Sequence, residues 1–311
     1  PLYSRAQACH CPPRSIRFLF VMSNQPHTPW NKGDPSIFDP VKIKLPPYYV
    51  DIPETRKAFC QYLAEINYMD MEFGRLLMKL DEYKLIENSV VIYLSEQGNS
   101  LPFAKYTCYD AGVHSAFLVR WPGVIKPGST SDAIVEYVDV VPTILDIAGV
   151  KPYIPMDGIS ILPLLLGKAK EHKQYTFSLQ TTRGIISGSE YYGIRSVADK
   201  KYRYIVNLTP EATFKNLETQ SQLFKKWQEK ADTDTLARWL TNRYQHRPGI
   251  ELYDLDMDRY CMHNIAHEPG SKDIIEKMDN VLLEWMNSCG DKGEDTELNA
   301  LSHQPRNMKR D

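Results

Sequence analysis

Three residues near the middle of the chain have side chains suited to holding an anion beside a metal ion. Glu96 and Gln97 come directly after the apolar run VVIYL at 90–94, and Lys105 follows a short loop later. A carboxylate and an amide carbonyl are hard oxygen ligands, which suit Ca²⁺ or Mg²⁺. A lysine ammonium binds an anionic oxygen as a point charge. A cation and Lys105 facing each other would neutralise a phosphoryl or sulfuryl group from two sides.

A second set of polar residues follows the apolar run FLFVM at 18–22. Ser23, Asn24 and His27 stand there, and a histidine can donate a proton near neutral pH. We predict strands at 17–23 and 90–95, and ligands of open α/β sheets bind at the carboxyl ends of such strands. Taken singly, these residues are typical of solvated turns and ordinary loops, so only their combination indicates a site.

The elements around these residues indicate an α/β sheet covered by helices. A long helix is predicted between the two strands, because apolar residues recur every three or four positions. A further strand is predicted at 115–122, and a helix at 136–150 that ends at Gly149. The apolar face of the long helix comprises Phe59, Leu63, Ile66, Met69, Phe73, Leu76, Leu77 and Leu80.

The second half of the chain has a different pattern. Short aromatic and β-branched runs at 175–179, 191–197 and 202–208 predict an antiparallel meander. A charged helical stretch, one more strand and an amphipathic closing helix follow. We therefore predict an unstructured segment 1–16, a partial α/β domain 17–168, an α+β subdomain 169–290 and a flexible tail 291–311.

Composition excludes several classes of function. The chain has 311 residues, a net charge of −2 and a hydrophobic fraction of 42%. No bulk basic charge indicates a nucleic-acid partner, and no apolar run approaches the roughly 20 residues of a membrane span. Six cysteines occur without a pair of C-x-x-C motifs, which argues against a structural zinc site.

Several segments resemble the sulfatase family of the alkaline-phosphatase-like superfamily. They are FLFVMSNQPHTPWNKGD, SEQGNSLPFAKYTCYDAGVHSAFLVRWPGVIKPG, VDVVPTILDIAGV and ELYDLDMDRYCMHNIA. The resemblance runs over about 17–269, with the segments in the same order as in the family. Within the family, the segments most resemble the heparan N-sulfatase (sulfamidase)-like glycan sulfatases of bacteria. It implies an alkaline-phosphatase-like sheet sandwiched by helices, with a smaller C-terminal α+β subdomain that carries an antiparallel sheet.

The resemblance also implies residue roles. In this family a cysteine of a C-x-P-x-R motif becomes a formylglycine nucleophile, and Ca²⁺ holds the sulfate oxygens. Glu96 and Gln97 match the later pair of metal ligands, although Glu replaces the commoner Asp. His27 matches the histidine that contacts the sulfate or protonates the leaving group, and Lys105 matches the sulfate-binding lysine.

Four residues of the second half are candidates for substrate binding by the same resemblance. The residues that would bind acidic or hydroxyl substituents of the sugar are Thr182 and Arg183 in TTRG, and His246 and Arg247 further along the chain. Packing within the C-terminal subdomain is an equally good interpretation of all four. The partner implied is a sulfated carbohydrate, and the location implied is periplasmic, secreted or lysosomal. The NLT triplet at Asn207 is a glycosylation sequon.

Two parts of the family pattern are absent from the 311 residues. No C-x-P-x-R motif occurs, since CPPRS at Cys11 lacks one residue, and no paired Asp ends an N-terminal strand. We therefore expect the C-terminal portion of a sulfatase, inactive by itself and weak in calcium binding. The alternatives are a phosphoryl-transfer or phosphodiesterase member of the superfamily and a non-catalytic glycan-binding protein.

Overall fold

The computed structural model describes residues 17–185, 188–189 and 191–303. These residues form eight α-helices and six β-strands. In chain order they are α1 (Pro53–Glu82), β1 (Val91–Leu94), α2 (Asp110–Val113), β2 (Phe117–Arg120), α3 (Val140–Ile147), α4 (Leu162–Leu165), β3 (Thr176–Gln180), β4 (Ile194–Ala198), β5 (Tyr202–Asn207), α5 (Gln222–Ala231), α6 (Thr235–Gln245), β6 (Ile250–Asp254), α7 (Lys272–Ser288) and α8 (Glu294–Asn299). The predicted segment 1–16 lies outside the described residues.

The chain divides into two compact units, each built from separate stretches of sequence. Unit 1 comprises Pro1–Ile37, Gln61–Val91 and Arg120–His172, and unit 2 comprises Phe38–Cys60, Ile92–Val119 and Lys173–Asp311. The sequence predicts contiguous domains with boundaries at 168 and 290, so the division differs. The stretch 92–119 belongs with the second half because its side chains contact β5 and β6, as described below.

The long helix α1 follows from its apolar spacing. It begins at Pro53, which has no amide hydrogen to leave unpaired in the first turn. All eight residues of the predicted apolar face are partly buried. Such a half-buried face is what a 3.6-residue period produces when one side of a helix covers other elements.

In unit 1, a buried aspartate organises the segment that contains α3. Asp139 is 1% exposed and accepts the backbone N–H of Glu136 and of Ile159, each at 2.9 Å. The hydroxyl of Thr143 donates to the Asp139 carbonyl and accepts the N–H of Ile161 at 2.9 Å. The helix ends as predicted before Gly149, whose φ of 68° suits a helix C-terminus.

Unit 2 contains the predicted antiparallel meander. Strands β3, β4, β5 and β6 form one four-stranded sheet in sequence order, and β1 and β2 form a separate pair. Every neighbour in the larger sheet is antiparallel, with Ser196 opposite Ser178 and Ile205. One face of this sheet packs on α7, where the buried residues are Val197, Tyr204, Leu252, Met278, Leu282 and Met286. Burial of these side chains supplies the hydrophobic stabilisation of this layer.

The predicted strand at 17–23 is wrong. Residues 17–24 have no regular secondary structure, and Phe18, Phe20 and Met22 are 67%, 71% and 77% exposed. A strand requires a neighbour for its backbone hydrogen bonds, and neither sheet of the described residues includes this segment. Apolar β-formers therefore indicate strand propensity here, while pairing is decided by tertiary contacts.

The predicted flexible tail also differs from the structure. Within 291–303, α8 forms, and its residue Glu297 is fully buried. The charged helical stretch before β6 is two helices, because Ser221 and Asp234 each cap a new N-terminus. In the part of the chain that the structure describes, no helix combines the length and apolarity needed to cross a membrane.

The NLT triplet lies inside unit 2. Asn207 is 2% exposed, and its amide donates to the Pro248 carbonyl and to Glu251, each at 2.8 Å. Both hydrogens of this amide are therefore already used, and the side chain is enclosed by protein. A glycan cannot be attached to this asparagine in the folded unit.

Candidate active site

The end of β1 presents Glu96 and Gln97 to solvent. Ser95 fixes this end, because its N–H donates to the Ala116 carbonyl at 3.0 Å and its hydroxyl accepts the Ala116 N–H at 2.7 Å. Ser115 donates to the Glu96 carbonyl at 2.5 Å. The backbone of the pair is thus held by the segment before β2, while both side chains stay exposed.

The loop that carries Lys105, residues 98–110 and here called the lysine loop, closes tightly on itself. Gly98 donates its N–H to the Gly112 carbonyl at 3.0 Å, and a Cβ on Gly98 would lie 2.1 Å from the Ala111 carbonyl oxygen. Lys105 donates its N–H to the Asn99 carbonyl at 3.0 Å. No other residue type fits position 98 without moving this backbone.

A deeply buried aromatic ring belongs to the lysine loop. Phe103, 2% exposed, packs against the rings of Tyr48, Tyr109 and Tyr244, the last at 4.9 Å between ring centroids. Phe103 adopts a φ of 70°, a left-handed conformation that is costly for a side chain of this size. Its burial offsets this strain, and Lys105, two residues later, remains partly exposed.

The C-terminal end of the lysine loop is anchored on the four-stranded sheet. The Tyr109 hydroxyl donates to Glu251 of β6 at 2.9 Å, and Tyr253 donates to the same carboxylate oxygen at 2.5 Å. Arg203 of β5 pairs with Asp110 at 3.1 Å. A carboxylate that accepts several donors in a buried position is strongly held. These contacts explain why 92–119 belongs to unit 2.

A second carboxyl group faces the lysine loop. Glu218 lies in the 3-10 helix Glu218–Gln220 and is partly buried. Burial raises the pKa of Glu218 to about 7, and the positive charge of Lys105 opposes that rise. The carboxyl group also acts on Tyr106 and Tyr244 electrostatically. Sequence reasoning missed Glu218, since nothing in the local pattern distinguishes it from a surface glutamate.

The TTRG segment lies directly after β3. Thr182 is fully buried, and its hydroxyl has no hydrogen-bond partner among the described residues. Arg183 is partly buried, and its Nε also has no hydrogen-bond acceptor among the residues that the structure describes. The neighbouring Thr181 hydroxyl is satisfied by Glu297 of α8 at 2.9 Å.

His246 and Arg247 follow α6 but have opposite environments. His246 is exposed at the C-terminus of the helix. Arg247 is 3% exposed, and its guanidinium carbon lies 4.0 Å from the ring centroid of Phe214. The rings of Tyr109 and Tyr244 enclose the same group. This burial fits the packing interpretation of Arg247, because a side chain so enclosed is not accessible to a substrate.

His27 belongs to unit 1 and is exposed on a braced loop. Its Nδ1 lies 2.6 Å from the Thr28 carbonyl oxygen. Trp30 donates its indole N–H to the Pro26 carbonyl at 2.9 Å and packs on Tyr62 of α1. Glu65, also in α1 and 1% exposed, accepts the N–H of Lys32 at 2.8 Å. The loop that holds His27 is therefore fastened to α1 by Trp30 and Lys32, which follow the histidine in sequence.

Two family profiles match the chain in overlapping segments. The profile described as Sulfatase matches residues 14–150, and the profile described as N-sulphoglucosamine sulphohydrolase, C-terminal, matches residues 98–244. The chain belongs to the sulfatase family. In this sulfatase chain the overlap of the two profiles contains the lysine loop, and the second profile contains TTRG and its neighbouring strands.

Two curated relatives of this chain carry names that state what they act on. An ulvan-active sulfatase of Formosa agariphila is 34% identical over 88% of the chain and 52% of its own length. The N-sulphoglucosamine sulphohydrolase of Homo sapiens is 25% identical over 81% of the chain and 52% of its own length. The chain spans about half the length of these curated relatives.

Solved structures share the fold at low sequence identity. The yidJ protein of Bacteroides fragilis superposes with a TM-score of 0.65 at 19% identity, over 88% of this chain and 54% of that one. A protein solved with its substrate D-glucosamine-2-N,6-O-disulfate gives 0.58 at 21% identity, over 77% and 42%. A phosphonate monoester hydrolase of Silicibacter pomeroyi gives 0.54 at 18% identity, over 84% and 47%. The predicted alkaline-phosphatase-like α/β fold is confirmed.

The described residues provide only some of the ligands for the calcium ion that the sulfatase family implies. Glu96 and Gln97 offer two exposed oxygen donors on adjacent residues. Ca²⁺ takes six to eight oxygen ligands. Within 17–185, 188–189 and 191–303, no three His, Cys, Asp or Glu side chains come together to hold a metal ion. The pair fits as a contribution to a calcium site, and the described residues do not form one by themselves.

Proposed function

We propose that the protein to which this chain belongs hydrolyses sulfate esters or N-sulfates of glycans. The observation that carries the proposal is the lysine loop, which leaves Lys105 partly exposed while buried contacts to Tyr109 and Phe103 fix its backbone. A lysine whose backbone is fixed in this way loses less conformational freedom when its ammonium binds an anionic oxygen. The match to both sulfatase profiles supports sulfate as that anion.

The remaining roles follow the same assignment. Glu96 and Gln97 would contribute two oxygen ligands to a calcium ion, which would supply positive charge next to the sulfate oxygens. Lys105 binds a sulfate oxygen. His27 contacts the sulfate or donates a proton to the leaving group, a role that suits an imidazole near neutral pH.

Sugar recognition is assigned to the two members of the candidate set that solvent reaches. Arg183 and His246 contact acidic or hydroxyl groups of the sugar, whereas the buried Thr182 and Arg247 support them from within the fold. A sulfated glycosaminoglycan of heparan type, with O-sulfate or N-sulfate, is the proposed substrate class. The names of the relatives, which include ulvan and N-sulphoglucosamine, support a sulfated polysaccharide.

The 311 residues by themselves are expected to be inactive. They contain no C-x-P-x-R motif, so they supply no formylglycine nucleophile. The decisive experiment compares this chain with the product of the full reading frame that encodes it, using an aryl sulfate and sulfated disaccharides as substrates. Turnover by the full product and none by the chain supports the proposal. A full product that turns over no sulfated substrate contradicts it.

A second candidate is phosphoryl or phosphonyl transfer, which the similarity to a phosphonate monoester hydrolase favours. The same assay should include an aryl phosphate and a phosphonate monoester. Faster turnover of either than of the aryl sulfate would replace the sulfatase proposal. Binding to immobilised heparin without turnover of any ester would favour the third alternative, a glycan-binding protein.

Export to the periplasm, the medium or the lysosome is part of the proposal and depends on the family alone. Fractionation of cells that express the full reading frame would test it. Activity found only in the cytosolic fraction would contradict it.

A further inference from the structure

A buried arginine links β4 to the C-terminal segment 290–297. Arg195, 1% exposed, donates from Nε to Asp291 at 2.5 Å and from Nη2 to the other oxygen of Asp291 at 3.2 Å. Its Nη1 lies 2.9 Å from Oε1 of Glu297, which is fully buried. Burial alone would lower the pKa of Arg195, but the two carboxylates outweigh it and raise that pKa. The guanidinium is therefore charged and paired with two carboxylates.

The segment 290–297 is shaped to present these two carboxylates. Gly293, at a φ of 61°, donates its N–H to Asp291 at 2.9 Å. Lys292 donates its N–H to the Thr296 hydroxyl at 2.7 Å. Burial favours protonation of Asp291, but hydrogen bonds from Arg195 and Gly293 prevail and lower its pKa. The carboxylates of Asp291 and Glu297, here called the C-terminal clamp, are thus held by local structure rather than by a frayed tail.

Glu297 also contacts both ends of the segment that joins β3 to β4. At one end it accepts the Thr181 hydroxyl at 2.9 Å. At the other end it lies so close to Gly193 that a Cβ there would be 2.5 Å from the Glu297 Cγ. One buried carboxylate therefore sets the positions of both ends of a segment that contains TTRG.

Inside that segment, hydrogen-bond donors are left without partners. The buried hydroxyl of Thr182 and the Nε of Arg183 find no acceptor among the described residues. Buried donors normally have partners, because an unmatched donor costs about 1–3 kcal/mol. Anchored ends combined with unmatched donors are what a preorganised binding segment requires.

We propose that Glu297 is a positioning residue for substrate recognition: by holding Thr181 and Gly193 it places Arg183 to meet an anionic or hydroxyl group of the sugar away from the reacting sulfur. The inference rests on the proposed function. It predicts that weakening the clamp affects sulfated oligosaccharides and spares a small aryl sulfate, which carries no sugar for Arg183 to contact.

The test uses Thr181→Val in the product of the full reading frame. This change removes the donor to Glu297 but keeps the β-branched shape and the pair between Arg195 and Glu297. We expect KM for a sulfated oligosaccharide to rise about threefold to tenfold, as loss of one hydrogen bond implies, with kcat retained. Aryl sulfate kinetics should not change. Glu297→Gln, which retains an acceptor oxygen, should give a smaller effect than Glu297→Ala.

The matched control is Thr233→Val, because that residue is exposed and its hydroxyl donates to the nearby Lys230 carbonyl. Hydrogen exchange of peptides covering 177–195 supplies a readout independent of turnover, and it should quicken in Thr181→Val but not in the control. Equal losses on both substrates, or unchanged exchange in Thr181→Val and Glu297→Ala, would overturn the inference. A wild-type protein that cleaves no sulfate would overturn both the proposed function and the proposed contact of Arg183 with the sugar. Hydrogen exchange would still test by itself whether Glu297 anchors the segment.

Discussion

The hydroxyl of Tyr109 donates a hydrogen bond of 2.9 Å to Glu251, a residue 142 positions later in the chain. Through this contact the last strand of the four-stranded sheet fixes the loop that carries Lys105. Burial raises the pKa of Tyr109, so this hydroxyl remains a donor across the physiological range. The loop of Lys105, the candidate sulfate-binding residue, is thus positioned by a residue far from it in sequence.

Removing this donor should destabilise unit 2. Tyr109→Phe leaves the Glu251 carboxylate with one fewer donor in a buried site, which should cost about 1.5–3 kcal/mol. Urea unfolding of the chain measures the loss. Tyr153→Phe is the control, because Tyr153 is 94% exposed. If both substitutions shift the unfolding midpoint equally, the hydrogen bond does not stabilise the loop.

Lys105 should be needed for turnover. In the product of the full reading frame, Lys105→Ala removes a positive charge from the proposed anion site, and we expect kcat for an aryl sulfate to fall roughly 10²–10³-fold. Lys225→Ala, an exposed lysine of α5, serves as the charge-matched control and should retain activity. Wild-type turnover by Lys105→Ala would remove Lys105 from the proposed site.

Glu218 should make the stability of unit 2 depend on pH. Because burial raises its pKa to about 7, the folded state holds a proton that the unfolded state releases near its ordinary value of about 4.5. Stability should therefore fall as pH rises from about 4.5 to about 7, by an upper bound on the order of 3 kcal/mol.

Glu218→Gln should flatten this part of the stability profile, since an amide does not titrate. The groups that act on the carboxyl group are Lys105, Tyr106 and Tyr244, and neither tyrosine titrates in this range. Urea midpoints measured every half pH unit for both proteins provide the comparison. Parallel profiles would show that Glu218 has an ordinary pKa.

The loop that holds His27 should depend on a glycine. Gly33 adopts a φ of 68°, and a Cβ there would lie 2.2 Å from the Ala64 carbonyl oxygen of α1. Gly33→Ala should therefore cost at least about 2 kcal/mol, more than the strain of the left-handed conformation alone. Thermal unfolding of the chain measures this cost.

Gly123→Ala provides a matched control within unit 1. Gly123 has a φ of 73°, but a Cβ at this position would meet no atom of the described residues within 4 Å. Its substitution should therefore cost only about 1 kcal/mol, the strain of the left-handed conformation by itself. Similar losses for the two variants would mean that the contact with Ala64 does not restrict the His27 loop.

The confirmed parts of the fold are those that depend on local periodicity. α1, α3, α7, the paired strands β1 and β2 and the antiparallel meander all stand where their apolar spacing predicts them. The strand at 17–23 is wrong because pairing requires a partner that composition does not specify. The charged composition of GDKGEDTE at 290–297 predicts a solvated tail and not the helix α8. The difference arises because Asp291 and Glu297 bind the buried Arg195, a contact that composition does not indicate.

Motifs and apolar spacing identify the family, the helices, most strands and the positions of Glu96, Gln97, His27 and Lys105, because these are properties of neighbours along the chain. The surroundings of those positions depend on the tertiary structure. Burial of Arg247 and Thr182, the raised pKa of Glu218 and the anchoring by Glu251 and Glu297 all arise from contacts between residues far apart in sequence. Desolvation and hydrogen bonding depend on those contacts, and no local pattern encodes them.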